Sequence, residues 1–188
     1  MATDGHSSSL RRGSRWTLFL WGGAALLLVV PFMAMRLQAP GVDWTAADFV
    51  VMGALLAAVC GAVELAMRFT ASWPYRLGVA TAAGGAFLIS WVNLAVGIVG
   101  SERNPANLLF FAALAIGALA AILARFRPAG MAAAMLVTAT AVAVAFILAA
   151  AGTRAEPNVS HLRELVGTAV ITSPLLLSAW FFRKASQR

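Results

Sequence analysis

The sequence predicts an all-α, polytopic membrane helix bundle with six transmembrane helices and both termini in the cytoplasm. Three observations support this fold class: six apolar runs, basic residues concentrated between alternate runs, and a composition far more apolar than that of soluble domains. The chain is 61% hydrophobic, with a mean hydropathy of +0.85. The runs are Trp16–Met35, Ala46–Phe69, Leu77–Gly100, Leu108–Ala124, Met131–Ala151 and Leu165–Phe182.

Each run is about 17–24 residues long, which is enough for a helix to cross the hydrocarbon core of a bilayer. With 188 residues, the chain has room for six spans and short connections. We therefore expect a polar cytoplasmic tail at residues 1–15, a transmembrane domain at residues 16–183 and a short cytoplasmic tail at residues 184–188. The pair Arg11-Arg12 resembles a twin-arginine signal, but no small-x-small cleavage site follows the first run, so we expect it to remain as a span. Its cleavage would leave five spans.

The basic residues predict the orientation. Ten of the 14 fall in segments that would be cytoplasmic, as the positive-inside rule requires. They are Arg11, Arg12, Arg15, Arg68, Arg76, Arg125, Arg127, Arg183, Lys184 and Arg188; the outer connections hold Arg36, Arg103, Arg154 and Arg163. We expect the inner group to contact anionic lipid headgroups. The net charge of +7 does not indicate nucleic-acid binding, because there is no basic helix face or stacking platform.

Several helix boundaries have recognisable capping chemistry. Thr45, with Asp48 three residues on, predicts a capping box at the start of the second span. Asn104-Pro105 predicts the start of the fourth span, with Asn104 as the N-cap. Asn104-Pro105-Ala106 is also similar to the tripeptide of aquaporin-class water channels. Those channels carry it twice, whereas this chain has one copy, so a helix start is the favoured interpretation.

Pro174 lies inside the sixth apolar run and predicts a kink there. A proline in a helix frees the carbonyl of the residue four positions earlier, here Val170. We expect the hydroxyl of Thr172 or Ser173 to satisfy that carbonyl.

Small residues form stripes at helical spacing on three of the spans, and such faces let membrane helices approach closely. The stripes are Gly53, Ala57, Gly61, Glu64 and Arg68 in the second span; Gly78, Ala82, Gly85, Ser90, Asn93, Gly97 and Ser101 in the third; and Ala113, Gly117 and Ala121 in the fourth. Because the connection at residues 70–76 is short, we expect the second and third spans to be antiparallel neighbours.

The candidate functional residues are polar groups on these stripes and in one outer loop. Glu64 is a carboxylate within a span, where charge is costly and often functional. Arg68 lies one turn further on, so a salt bridge between them is the favoured interpretation. For Asn93, with Ser90 on the same face, we expect interhelical hydrogen bonding. The outer-loop candidates are Glu102, Arg103 and Asn104, where the two charged residues could pair with each other or with Arg36 or Asp43.

The chain has little to suggest catalysis. Cys60 is the only cysteine, and the histidines, His6 and His161, fall outside the spans. We therefore predict no catalytic, metal or cofactor site and no enzymatic activity.

The segment from Trp91 to Gly97, continuing from Gly100 to Asn107, resembles small multi-pass inner-membrane proteins of bacteria that have no assigned activity. The likeness covers about the middle half of the chain and brings no site residues. It implies a bacterial inner-membrane location. The preferred function is an accessory or interaction protein that packs through small-residue faces, as a homo-oligomer or with another membrane protein. The alternative is a small transporter or channel for an ion or small solute that uses Glu64 and Asn93.

Overall fold

A computed structural model describes the backbone at residues 5–152 and 161–187, and the side chains at residues 16–152 and 162–187. All regular structure in these ranges is helical. The helices are α1 (Gly5–Arg36), α2 (Ala46–Phe69), α3 (Trp73–Ala95), a 3₁₀ turn (Pro105–Asn107), α4 (Leu108–Leu123), α5 (Pro128–Gly152) and α6 (His161–Ser186). Some of the basic residues that predict the orientation lie outside the described residues: Arg154, Arg188 and the side chains of Arg11, Arg12 and Arg15.

Six of these helices are long and apolar enough to cross a membrane, which confirms the predicted number of apolar helices. The helix ends differ from the apolar runs in two places. Helix α1 begins at Gly5, so it includes most of the segment predicted as a polar tail. Helix α3 ends at Ala95, although the apolar run continues to Gly100. The reason for the early end lies in the connection between α3 and α4.

The chain divides into two compact units, with the boundary after Glu64. In the first unit, α1 and α2 pack as an antiparallel pair. The thiol of Cys60 donates to the carbonyl of Leu20 at 3.7 Å. A Cβ atom built on Gly53 would lie 3.9 Å from Leu28. These contacts use one face of α2, which includes the first small residue of its predicted stripe.

The second unit contains α3 to α6. Helix α6 packs against both α3 and α5, and α4 packs against α5. Small residues bring these helices together. A Cβ atom built on Gly117 of α4 would overlap Thr138 Oγ1 and lie 2.9 Å from Thr138 Cγ2. The packed interior includes fully or almost fully buried side chains from four helices and one connection: Ile89, Val99, Phe110, Val142, Leu175 and Phe182.

The small-residue face of α3 packs against α6 at Gly78 and at Gly85. A Cβ atom on Gly78 would lie 2.8 Å from the ring of Phe182, and one on Gly85 would lie 3.2 Å from Leu175. At these two positions the small-residue face of α3 is thus covered by α6. That the second and third spans are antiparallel neighbours stays a prediction.

The predicted boundary chemistry is confirmed at several positions. Asp48 Oδ2 accepts hydrogen bonds from the backbone N–H and the hydroxyl of Thr45, at 2.7 and 2.8 Å, which closes the capping box of α2. In α6, which contains Pro174, the hydroxyl of Ser173 donates to the carbonyl of Val170 at 2.8 Å. The carbonyl that proline leaves without its helical partner is thus satisfied within the helix.

Candidate functional site

The connection between α3 and α4 breaks the helix at Gly97, which adopts a left-handed conformation with φ of +76°. Only glycine adopts this conformation without strain. Space is also restricted, because a Cβ atom at Gly97 would lie 2.6 Å from the carbonyl carbon of Ser101 and 2.7 Å from Asn107 Nδ2. Gly100, with φ of +73°, provides a second turn. The backbone therefore folds back toward α4 while the sequence is still apolar.

Asn107 organises this connection. Its side chain is 4% exposed and takes part in four hydrogen bonds. Oδ1 accepts from the backbone N–H groups of Ile98 and Val99, at 3.2 and 3.1 Å. Nδ2 donates to the carbonyls of Val99 and Ser101, at 3.2 and 2.8 Å. One amide side chain thus replaces the helical hydrogen bonds that Ile98 and Val99 lose when α3 ends.

Two further asparagines complete the cluster. Asn104 Oδ1 accepts from the backbone N–H of Ala106 at 3.0 Å, and its Nδ2 donates to the carbonyl of Val99 at 3.1 Å. This confirms Asn104 as an N-cap, since its amide is engaged with its own loop. Asn93, from the last turn of α3, is 4% exposed, and its Nδ2 donates to the backbone carbonyl of Asn107 at 2.9 Å.

The same connection is held against the bundle. Ile98 and Val99 are 6% and 0% exposed and belong to the core of the second unit. A carboxylate oxygen of Glu164, in the first turn of α6, accepts from the backbone N–H of Gly100 at 2.7 Å. The turn is therefore a packed element with a defined position, and side chains on it can form a site of fixed geometry.

A cavity of about 350 Å³ opens at this connection. Its lining combines polar and charged residues with apolar side chains from the ends of α3 and α4. The lining residues are Asn93, Leu94, Glu102, Arg103, Asn104, Pro105, Asn107, Leu108 and Phe111. The structure thus brings one candidate from the third span and all three outer-loop candidates to a single cavity.

Glu102 and Arg103 lie at its rim. Arg103 Nε is 3.8 Å from Glu102 Oε1, and the two side chains are 92% and 53% exposed for arginine and glutamate, respectively. This is the pairing with each other that the sequence offered as one option. Exposed pairs of this kind contribute about 0–1 kcal/mol to stability, so the charges remain available to a ligand.

The remaining candidates lie elsewhere. Ser90 is buried on α3, one turn before Asn93. Glu64 lies in the first unit, where its carboxylate accepts from Trp21 Nε1 at 3.1 Å. This bond to α1 was not expected from the sequence, because it depends on the register of α1 against α2. The salt bridge from Glu64 to Arg68 stays a prediction.

Asn107 is the site residue that sequence reasoning missed. Its signal was present: an asparagine three residues after Asn104, at the start of an apolar helix, with glycines at positions 97 and 100 just before it. Within the described residues, no group of three or more His, Cys, Asp or Glu side chains could hold a metal ion. No protein family, curated protein or solved structure matches this chain.

Proposed function

We propose that this chain is a multi-pass protein of the bacterial inner membrane that acts as an accessory protein, binding other membrane helices rather than catalysing a reaction. The six long apolar helices support a membrane location. The excess of basic residues in alternate connections supports cytoplasmic termini and contact of the inner connections with anionic lipid headgroups.

The observation that supports this proposal most directly is that part of the small-residue face of α2 lacks the contacts made by the other small-residue faces. Gly78, Gly85 and Gly117 each meet a side chain of a neighbouring helix. Among the described residues of the first unit, a Cβ atom built on Gly61 meets nothing within 4 Å, and Ala57, one turn earlier, is exposed. Small faces allow close approach of membrane helices, so the Ala57–Gly61 face supports binding of a helix from another polypeptide, either a second copy or a different membrane protein.

Cysteine cross-linking in native membranes tests this proposal. In a Cys60→Ala background, Ala57→Cys is expected to form an intermolecular disulfide on mild oxidation, and adding Gly61→Leu is expected to reduce the product by about fivefold or more, because a leucine holds the two backbones apart. The matched control is Ile116→Cys, a 48% exposed position on α4. It is expected to cross-link weakly, with or without Gly61→Leu. Equal cross-linking from both positions would contradict the proposal.

Transport is the second candidate, favoured by the cavity that reaches Asn93. Two observations weigh against it. One turn further into the bundle, Ile89 on α3 and Phe110 on α4 are both 0% exposed, so apolar side chains follow directly behind the polar cluster. The carboxylate of Glu64, the other residue expected to handle an ion, accepts a hydrogen bond from Trp21. We therefore place a transporter or channel after an accessory protein.

A further inference from the structure

The acceptor oxygen of Asn93 has no hydrogen-bond donor among the residues that the structure describes. Asn93 Oδ1 is buried and unpartnered, while its Nδ2 is held by the carbonyl of Asn107 at 2.9 Å. Rotating the amide would only place its oxygen against that carbonyl, so the side chain cannot satisfy itself. An unpaired buried acceptor destabilises the folded state, so a donor for it is expected. Asn104 and Asn107, by contrast, use both ends of their amides.

Asn93, the residue that carries this unused acceptor, lines the cavity. Within the described residues, the other buried side-chain atoms without a partner are Ser72 Oγ and Thr168 Oγ1, and neither residue lines it. The cavity volume of about 350 Å³ falls in the range of about 300–1,000 Å³ that is usual for small-ligand sites. A ligand that fills this cavity is therefore expected to present a hydrogen-bond donor toward Asn93.

The two charged residues at the rim of the cavity, Glu102 and Arg103, indicate the charge of that ligand. The side chain of Arg103 is 92% exposed, and among the described residues its ion pair is a long contact to Glu102, so its guanidinium can bind a phosphate. The carboxylate of Glu102 suits a cation beside that phosphate. The remaining wall is apolar, with Leu94 and Leu108 50% and 67% exposed at the ends of α3 and α4. A zwitterion on an apolar anchor matches all of these features.

We propose that this cavity binds the headgroup of a phospholipid that carries a primary ammonium group, as phosphatidylethanolamine does. The phosphate binds Arg103, the ammonium group donates to Asn93 Oδ1 and is balanced by Glu102, and the acyl chains follow the apolar ends of α3 and α4. The site lies where two spans end, which is the depth of lipid headgroups. This lipid-binding proposal rests on the membrane location proposed above, but it does not depend on whether α2 binds another helix.

Native mass spectrometry of the purified full-length protein, titrated with defined lipids, tests this site. Phosphatidylethanolamine is expected to bind about tenfold more tightly than phosphatidylcholine, because the choline group has no N–H donor for Asn93. Arg103→Gln is expected to weaken binding of phosphatidylethanolamine by about fivefold or more. The matched control, Arg36→Gln, changes another exposed arginine, at the end of α1, and is expected to leave binding unchanged.

Asn93→Ala provides a further readout if it folds, and it is expected to remove the preference for ethanolamine over choline. The lipid comparison and Arg103→Gln do not alter the buried cluster, so they test the site even if Asn93→Ala does not fold. Equal binding of the two lipids, or no effect of Arg103→Gln, would overturn the proposal and leave water as the occupant. Soluble phosphoethanolamine serves as a competitor. If it displaces the lipid at similar concentration, the ligand is a soluble zwitterion and the lipid assignment is wrong.

Discussion

Replacing Gly117 with leucine is expected to destabilise the α3–α6 unit severely. Even a Cβ atom at this position would overlap Thr138, whose hydroxyl is fixed by a hydrogen bond to the carbonyl of Ala134 at 2.8 Å. Overpacking a dense interior costs about 1–3 kcal/mol or more, and leucine adds three further carbon atoms to the clash. Thermal unfolding in detergent, followed by circular dichroism, is expected to show a large fall in melting temperature.

Gly84→Leu is the matched control, because it makes the same change in the middle of another apolar helix. Among the described residues, a Cβ atom on Gly84 meets nothing within 4 Å. The gain in helix propensity over glycine is about 0.8–1 kcal/mol, so this variant is expected to unfold at or slightly above the wild-type temperature. If both variants lose the same stability, close packing of α4 on α5 through Gly117 is not what holds the unit together.

Asn107→Ala is expected to produce the second largest loss. The change leaves the buried N–H groups of Ile98 and Val99 without an acceptor, and it also removes the two hydrogen bonds that Nδ2 donates. Each unsatisfied buried group costs about 1–3 kcal/mol, so the total is expected to reach about 3 kcal/mol. Hydrogen exchange at residues 96–107 is expected to accelerate together with the fall in melting temperature.

Asn104→Ala measures the cost of losing an N-cap, for comparison with the loss of the buried Asn107 amide. Its Oδ1 caps one backbone N–H, at Ala106, and loss of an N-cap costs about 1 kcal/mol. The variant is expected to lose less stability than Asn107→Ala. A larger loss at Asn104 than at Asn107 would show that the cap, rather than the buried amide, holds the connection in place.

Hydropathy, residue spacing and capping patterns predicted the parts of this fold that depend on residues close in sequence. Hydropathy placed α2 at Ala46–Phe69, and spacing alone predicted the bond of Thr45 with Asp48. Spacing also limited the donor to the Val170 carbonyl to Thr172 or Ser173, of which the structure shows Ser173. Each of these depends on a few consecutive residues and on the fixed geometry of a helix. The same rules identified Asn104 as a cap.

Features that depend on residues distant in sequence were not predicted. The early end of α3 requires the amide of Asn107 to satisfy Ile98 and Val99, and hydropathy is the same for an apolar segment inside or outside a helix. Glycine spacing marked Gly85 as an interface residue, but it carries no information on whether α2 or α6 covers it. The cavity at Asn93 likewise follows from the fold of the connection. Glu102, Arg103 and Asn104 are adjacent in sequence. Asn93 lies beside them because its side chain is hydrogen-bonded to Asn107.

The six-span topology is the central claim, and cysteine accessibility in intact cells and inverted vesicles tests it most directly. In a Cys60→Ala background, single cysteines replace exposed residues in or directly after successive connections: Asp43, Ala71, Arg103 and Ala129. We expect a membrane-impermeant maleimide to label positions 43 and 103 from outside the cell and positions 71 and 129 only in inverted vesicles. Labelling of positions 103 and 129 from the same side would contradict six spans and remove the proposed placement of the headgroup site.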